Sequence, residues 1–364
     1  MSTMEQIDPV KIEQIEANER ERFCVADLDH PAVREIFNIC TRHKVIQSEN
    51  GRHPPIDEYL NIDVDSYNIP EHMETDLSFL ESIMDEVKLP TLPDIVMKIQ
   101  QVIKDPNSSA YDMAEVISMD AGLSSTILKI ANSAFYNFQS EVDTLYRAVA
   151  ILGTQQLGTL THGIKIIDAF KGVSAGIVNM QSFWKHSITC GINARIIAYY
   201  KGMRSSERLF MAGLLHDVAR LVLHSYASTI SIYTLVKARQ SGRLVRDIEK
   251  ETMHVDHADI AGMILNKWSL PLSLEDTIRH HHAPAAAADS MEASIVHLAD
   301  VLANAIGIGS SGEFLVPPLD PAAWDTIGLP TDVLPVIVNE GDAQIAEVLS
   351  FFLSGTTHST AENH

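Results

Sequence analysis

Cysteine is scarce in this 364-residue chain, and Cys24, Cys40 and Cys190 lie far apart with no CxxC spacing. That excludes a disulfide framework and a zinc ribbon, and it suits a reducing cytosol. Basic residues are also few, 27 Lys and Arg against 48 Asp and Glu, for a net charge of −21. Such a surface repels phosphate backbones, so non-specific nucleic-acid binding is not expected, although a local basic pocket stays open. No apolar run reaches transmembrane length, and the N-terminal MSTMEQIDPVKIEQIEANERER lacks a signal-peptide core. The expectation is a cytoplasmic protein with no membrane attachment. Strand alternation is missing throughout, and so is a Gly-rich phosphate loop.

What is present is a helical period over most of the chain, with 46% apolar residues to fill a core. Residues 1–75 are polar and acidic, with helices expected at Pro9–Arg22 and Pro31–His43. Gln47–Pro70 is rich in turn formers and reads as linker. This first segment is expected to be an extension for partner contact or oligomerisation. From Asp76 to about residue 172 the spacing predicts a bundle of short helices, including Asp143–Leu152 and Thr154–Ile167. Lys171–Gly176 reads as a hinge, and residues 173–310 as a second helical lobe. Residues 311–364 are expected to be a C-terminal helical extension and tail, with a closing helix or pair of helices at Val333–Leu353. The fold class is all-α.

The second lobe carries the chemistry. Arg208–Leu223 (RLFMAGLLHDVARLVL) reads as one buried helix with His216 and Asp217 in its middle. An isolated ionised aspartate there would cost several kcal/mol or more, so Asp217 needs a cation. On Phe183–Tyr200, His186 shares a stripe with Phe183, Cys190 and Ile197. Asp256 is a good N-cap for the next helix, on which His257 lines up with Ile260, Ala261 and Ile264. Ser273-Leu-Glu-Asp276 resembles a capping box, and in that helix His281 and His282 flank the inward Ile278 while His280 points outward. Asp289 and Glu292 read as a box opening a last helix, where Asp300 lies beside an apolar stripe. Each histidine taken alone suits a satisfied core residue. Together, on inward faces of successive helices, they suit one or two divalent transition metals, zinc, iron, manganese or nickel. A bridging carboxylate is needed for two ions, and Asp217 is placed to supply it. Arg220 suits either a phosphate clamp or an ion pair with a nearby acid.

These residues fall within the segments LPTLPDI (89–95), ILKIANSAFY (127–136), RAVAILG (147–153), FWKHS (183–187), AGLLHDVARLVL (212–223), VDHADIAGMILNKWSLP (255–271), HHAP (281–284) and VHLAD (296–300). From about Leu89 to Asn304 the chain resembles the HD superfamily of metal-dependent phosphohydrolases. Within it, it is most similar to the HDOD domains, the HD-related output domains of bacterial signalling proteins. The resemblance implies a first helical lobe packed against an HD-like lobe. It implies that positions like His186, His216, Asp217 and Asp300 hold one metal. Positions like His257, His281 and His282 help hold a second in cyclic-dinucleotide phosphodiesterases. Many HDOD domains have lost part of this set and are regarded as non-catalytic. Three departures from the phosphodiesterases stand out. HD-x-G-K becomes His216-Asp217-Val218-Ala219-Arg220, the Gly-Tyr-Pro segment after the paired histidines is absent, and Ser182 stands where those enzymes place an acid. The expected function is a signal-transduction output protein acting through a protein partner or a small phosphorylated ligand. The alternative is an active phosphohydrolase on a nucleotide or cyclic dinucleotide.

Overall fold

The structure is a computed structural model that describes residues 9–49, 64, 66–73, 75, 93–133, 136, 138, 140–170, 178–203 and 206–353. The described elements are helical. Most of the linker expected at 47–70 and the hinge expected at 171–176 lie outside the described residues.

Pro9 and Pro31 open α1 (Pro9–Arg22) and α2 (Pro31–Glu49), positions where the missing N–H costs nothing. Both helices match their expected starts, and α2 runs one and a half turns further. A first lobe follows: α3 (Asp94–Lys104), α4 (Ala110–Ser118), α5 (Ala121–Ala131), α6 (Leu145–Leu152) and α7 (Thr154–Phe170). Short polar residues set their starts, since Ser109, Asp120 and Thr144 accept from backbone N–H groups of α4, α5 and α6.

The second lobe is built on α8 (Met180–Tyr200), which packs most extensively against α9 (Ser206–Leu215). The two backbones nearly touch. A Cβ on Gly213 would meet the Gly191 Cα at 2.7 Å, so only glycine permits this crossing. After α10 (Val218–Tyr226), α11 (Ser228–Ser241), α12 (Val245–Met253) and α13 (His257–Lys267) come α14 (Leu272–Arg279) and α15 (Ser290–Ile306). Helix α15 also packs on α8. Short α16 (Pro321–Ile327) and then α17 (Leu334–Leu353) are the last described helices, with α17 lying on α8 and reaching α5 of the first lobe. Helix α2 packs on both α15 and α17, so the N-terminal pair shares the core of the second lobe.

Two local expectations are corrected. The span 208–223 is not one helix but α9 and α10, broken at His216-Asp217, because Asp217 takes the N-cap position of α10. The Ser273–Asp276 box does not form, because Pro271, with φ −56°, takes the N-cap position of α14 two residues earlier. Helix α14 also ends at Arg279, so His281 and His282 leave it on a turn. The Asp289 half of the α15 box is made, but Glu292 turns instead to Arg208.

Candidate metal centre

The break at residues 216 and 217 is what builds the site. In a continuous helix, adjacent side chains diverge by about 100°. On the turn, the His216 imidazole and the Asp217 carboxylate reach the same point, with Nε2 and Oδ2 3.3 Å apart. Asp217 makes no cap bond to its own helix, which leaves both oxygens for the site.

Around Oδ2 of Asp217 gather His186 of α8, His216 and Asp300 of α15. His186 Nε2 lies 3.4 Å from His216 Nε2, 3.3 Å from Asp300 Oδ1 and 3.8 Å from Asp217 Oδ2. His216 Nε2 is also 3.3 Å from Asp300 Oδ1. On the other side, Asp217 Oδ1 stands 3.0 Å from His257 Nε2, which in turn is 2.9 Å from His282 Nε2. His281 sits between the two sets, close enough to ligate with His216 and Asp217 or with His257 and His282. All seven residues expected from the sequence therefore converge, with Asp217 shared. His280 is half-buried and bonds Asp276. His297 donates from Nδ1 to the His281 carbonyl at 2.9 Å and accepts from Asp320 N, so it fixes the turn without entering the cluster.

The donors fit a divalent ion. Nδ1 of His216 donates to the Gly213 carbonyl at 2.7 Å and Nδ1 of His281 to the Ile278 carbonyl at 2.6 Å, which turns each Nε2 inward. At His281 that nitrogen is a lone pair, and at His216 it carries a proton held by Asp217 and Asp300 that a metal would displace. His281 Nε2 is buried with no hydrogen-bond partner. Four ligands held ~2.0–2.2 Å from one ion in a tetrahedron stand roughly 3.3–3.6 Å apart, the spacing of the first set. Charge points the same way. Asp217 and Glu249 face Arg220, Asp300 faces His186 and His216, and all three acids and Arg220 are at least 95% buried. Burial alone would raise the Asp217 carboxyl, but Arg220, His216 and His257 outweigh it and hold it well below the usual range. Burial and Arg220 push His257 down, yet Glu249 and Asp217 raise it to about 9. His281 falls to about 3, from burial and then from His216 and His257.

Glu249 was not singled out from the sequence. It lies on α12 beside buried Val245, Ile248 and Thr252, and that shared stripe was the available signal. Its Oε2 accepts from His257 Nδ1 at 2.5 Å and from His257 N at 3.0 Å, orienting the ring as carboxylates do behind metal-bound histidines. Arg220 donates to the Ser311 carbonyl at 3.1 Å, with Nε 3.6 Å from Asp217 and 3.8 Å from Glu249. Ser182 likewise has a local use, since its Oγ accepts from Ser310 N at 3.0 Å. These contacts pin residues 307–317 across the cluster. The cavity left between Arg220, His282, Ser311 and Glu313 measures about 10 Å³, room for about one water.

The comparisons agree with this architecture. An uncharacterised protein of Treponema pallidum is 26% identical over 206 residues, 55% of this chain. The match spans 39% of that protein, so the chain corresponds to about two fifths of its curated relative's length. Among solved structures, an HDOD domain protein of unknown function from Geobacter sulfurreducens superposes with TM-score 0.61 at 24% identity, covering 76% of this chain and 98% of its own. A Shewanella amazonensis protein, provisionally named a phosphohydrolase, gives 0.60 at 24% identity over 75% and 97% of the two chains. A Marinobacter aquaeolei protein, provisionally named a signal transduction protein, gives 0.57 at 19% over 86% and 72%. At these identities the likeness is one of fold. The HDOD domain family itself matches residues 89–284, more than half of the chain and most of the cluster, and this protein belongs to it.

Proposed function

We propose that this chain is a regulatory output protein of bacterial signalling. It holds one or two divalent transition-metal ions in the histidine–aspartate cluster and acts by binding a signalling partner rather than by turnover. The observation that carries this reading is a complete ligand set under an almost closed roof. His186, His216, Asp217 and Asp300 would hold one ion, and His257, His281 and His282 with the second Asp217 oxygen would hold another. A bound ion of this kind supplies Lewis acidity toward a phosphoryl oxygen. The protein's own groups leave little use for that acidity, because a cavity of about 10 Å³ admits no phosphate ester. Arg220, the candidate clamp, instead holds Ser311 and stands beside Asp217 and Glu249.

A second reading, a phosphohydrolase acting on a nucleotide or cyclic dinucleotide, is favoured by the filled ligand set alone. It needs residues 307–317 to leave the cluster. The test is elemental analysis of protein purified without added metal, followed by assay of the loaded chain with cyclic dinucleotides and bis-p-nitrophenyl phosphate. The expectation is bound transition metal with no hydrolysis above background. Turnover lost in His216→Ala and kept in His280→Ala would replace the output reading with the enzyme. A chain with no metal and no gain in stability from added Zn²⁺ or Mn²⁺ would overturn both.

A further inference from the structure

A second cavity, far roomier than the first, opens where the two lobes meet. It holds about 570 Å³, within the range of small-molecule sites. Its walls come from α3 and α7 of the first lobe and from α9 and the start of α14 in the second. We infer that this cavity is a binding site for a small amphipathic organic anion that carries an N–H or O–H donor.

Three features define that chemistry. The first is an unanswered acceptor. His162 lines the cavity, and its Nδ1 faces the Gly158 carbonyl at 2.5 Å. A carbonyl can only accept, so Nδ1 carries the proton and the neutral ring presents a lone pair at Nε2. That Nε2 is buried with no partner, and His162 is 6% exposed. Leaving such a group unmade costs free energy, which a ligand N–H or O–H would relieve. The second feature is charge. Lys104 at the rim has no carboxylate partner among the described residues, whereas the Arg208 guanidinium is already held by buried Glu292. Lys104 favours an anionic group at its own end of the cavity, while Glu207 of α9, which also lines it, disfavours one beside itself, so the ligand's charge belongs at the Lys104 end. The third is the apolar floor, made by Ile103, Met211 and Leu274, which suits a ring or short hydrocarbon body. Amide groups of Gln155 and Gln156 complete the polar wall.

The backbone beside the cavity is fixed as well. Ser269, which lines it, holds φ at +55°, one of two non-glycine residues with positive φ among the described residues. That left-handed conformation closes α13, with Ser269 N donating to the Asn266 carbonyl at 2.9 Å and Leu270 N to the Leu265 carbonyl at 3.1 Å, so the wall of the cavity here is a fixed helix cap. Its carbonyl accepts from the Gln100 side chain, so the turn after α13 is tied to α3 across the lobe junction. The site also has mechanical reach. Helix α9 borders the cavity through Arg208 and Met211 and leads directly to His216, and α14 borders it through Leu274 and leads to His281.

The probe for the test is 8-anilinonaphthalene-1-sulfonate, a fluorescent anion with an aromatic body and one N–H. Titrated into the full chain, it should saturate at one molecule per protein with a Kd of about 1–100 μM. Thr159→Trp, which fills the cavity, should weaken it at least tenfold, and Lys104→Gln by roughly three- to tenfold, as for loss of one rim charge. His162→Phe should weaken it about tenfold, the loss expected for one hydrogen bond to a buried group. Lys104 is exposed, so that variant keeps its fold even if Thr159→Trp does not. Binding that is absent, non-saturable or unchanged in Lys104→Gln and His162→Phe would overturn the assignment.

Discussion

Two buried charged clusters sit in this molecule, and they solve the same problem differently. In the first, Glu19 of α1 is 2% exposed and meets Arg22 at 2.9 Å, Lys44 of α2 and the Cys40 thiol at 3.0 Å. Burial alone would raise its carboxyl, but Arg22 and Lys44 hold it below the usual value. Arg22 also donates to the Asn304 and Ala305 carbonyls, closing the C-terminal end of α15. In the second cluster, Asp217, Asp300 and Glu249 outnumber Arg220, and the balance falls to imidazoles, of which His216 is raised well above its ordinary value by Asp217 against burial. Lysine and arginine are permanent counter-ions. Imidazole protons are exchangeable, and a metal ion that takes their place releases them. The first cluster is finished as it stands, while the second is built to accept something.

The widest separation between the two comes from removing the centre of each. Asp217→Ala should abolish metal binding at both sets, since each loses the shared carboxylate, and should cost about 3–5 kcal/mol by leaving Arg220 with one acid fewer in a dry site. Zinc titration and chemical denaturation of the same preparation read both effects. Retained stoichiometric zinc would show that the histidines hold the ion without the bridge. Glu19→Ala should cost a similar or slightly smaller amount, ~3–4 kcal/mol, for two stranded cations, yet leave zinc binding intact. A loss of zinc in that variant would make the two clusters one system.

The Glu19 pair also sets a pH signature. A carboxyl whose folded pKa lies below its unfolded value of 4.5 contributes stability that is fully present above that value. That contribution is lost as pH falls through the folded pKa. Denaturation midpoints of the wild type should therefore drop more steeply below pH 4.5 than those of Glu19→Gln, in metal-free buffer for both chains. Parallel curves would mean that Glu19 titrates alike folded and unfolded.

How far each cluster was legible in the sequence follows from its chemistry. The seven ligand residues stood out because histidine and aspartate among apolar residues are unusual. A 3.6-residue period places His186, His257 and Asp300, whereas His216, Asp217, His281 and His282 reach the site from turns that the period does not describe. The break at His216-Asp217 did not stand out, because the apolar flanks favour one continuous helix and only the N-cap preference of aspartate argues otherwise. Glu19 and Arg22 were invisible for the opposite reason. Helix α1 (PVKIEQIEANERER) is polar all round, and charges on such a helix are normally read as facing water. Their burial depends on α15, nearly three hundred residues away. The lobe-junction cavity is likewise a product of packing, drawn from residues between 100 and 274 that share no local pattern.

Glu249 offers the finest cut, because it touches one side of the metal cluster and not the other. Its carboxylate fixes the His257 ring through Nδ1 and its backbone through N, and neither His186 nor Asp300 is among its partners. Glu249→Gln keeps size and one acceptor oxygen, so the ring can stay oriented. What it removes is the negative charge that makes Nε2 of His257 a better ligand. Changes of this kind behind a metal ligand typically weaken the metal by about 10–100-fold. The expectation is therefore a two-site zinc isotherm in which the second affinity falls by that factor and the first is unchanged. Glu249→Asp, one methylene shorter and still charged, should fall between the two. Equal losses at both sites would mean that the variant disturbs the whole lobe. No loss at either would reduce Glu249 to a partner for Arg220, making the second cluster as self-contained as the first.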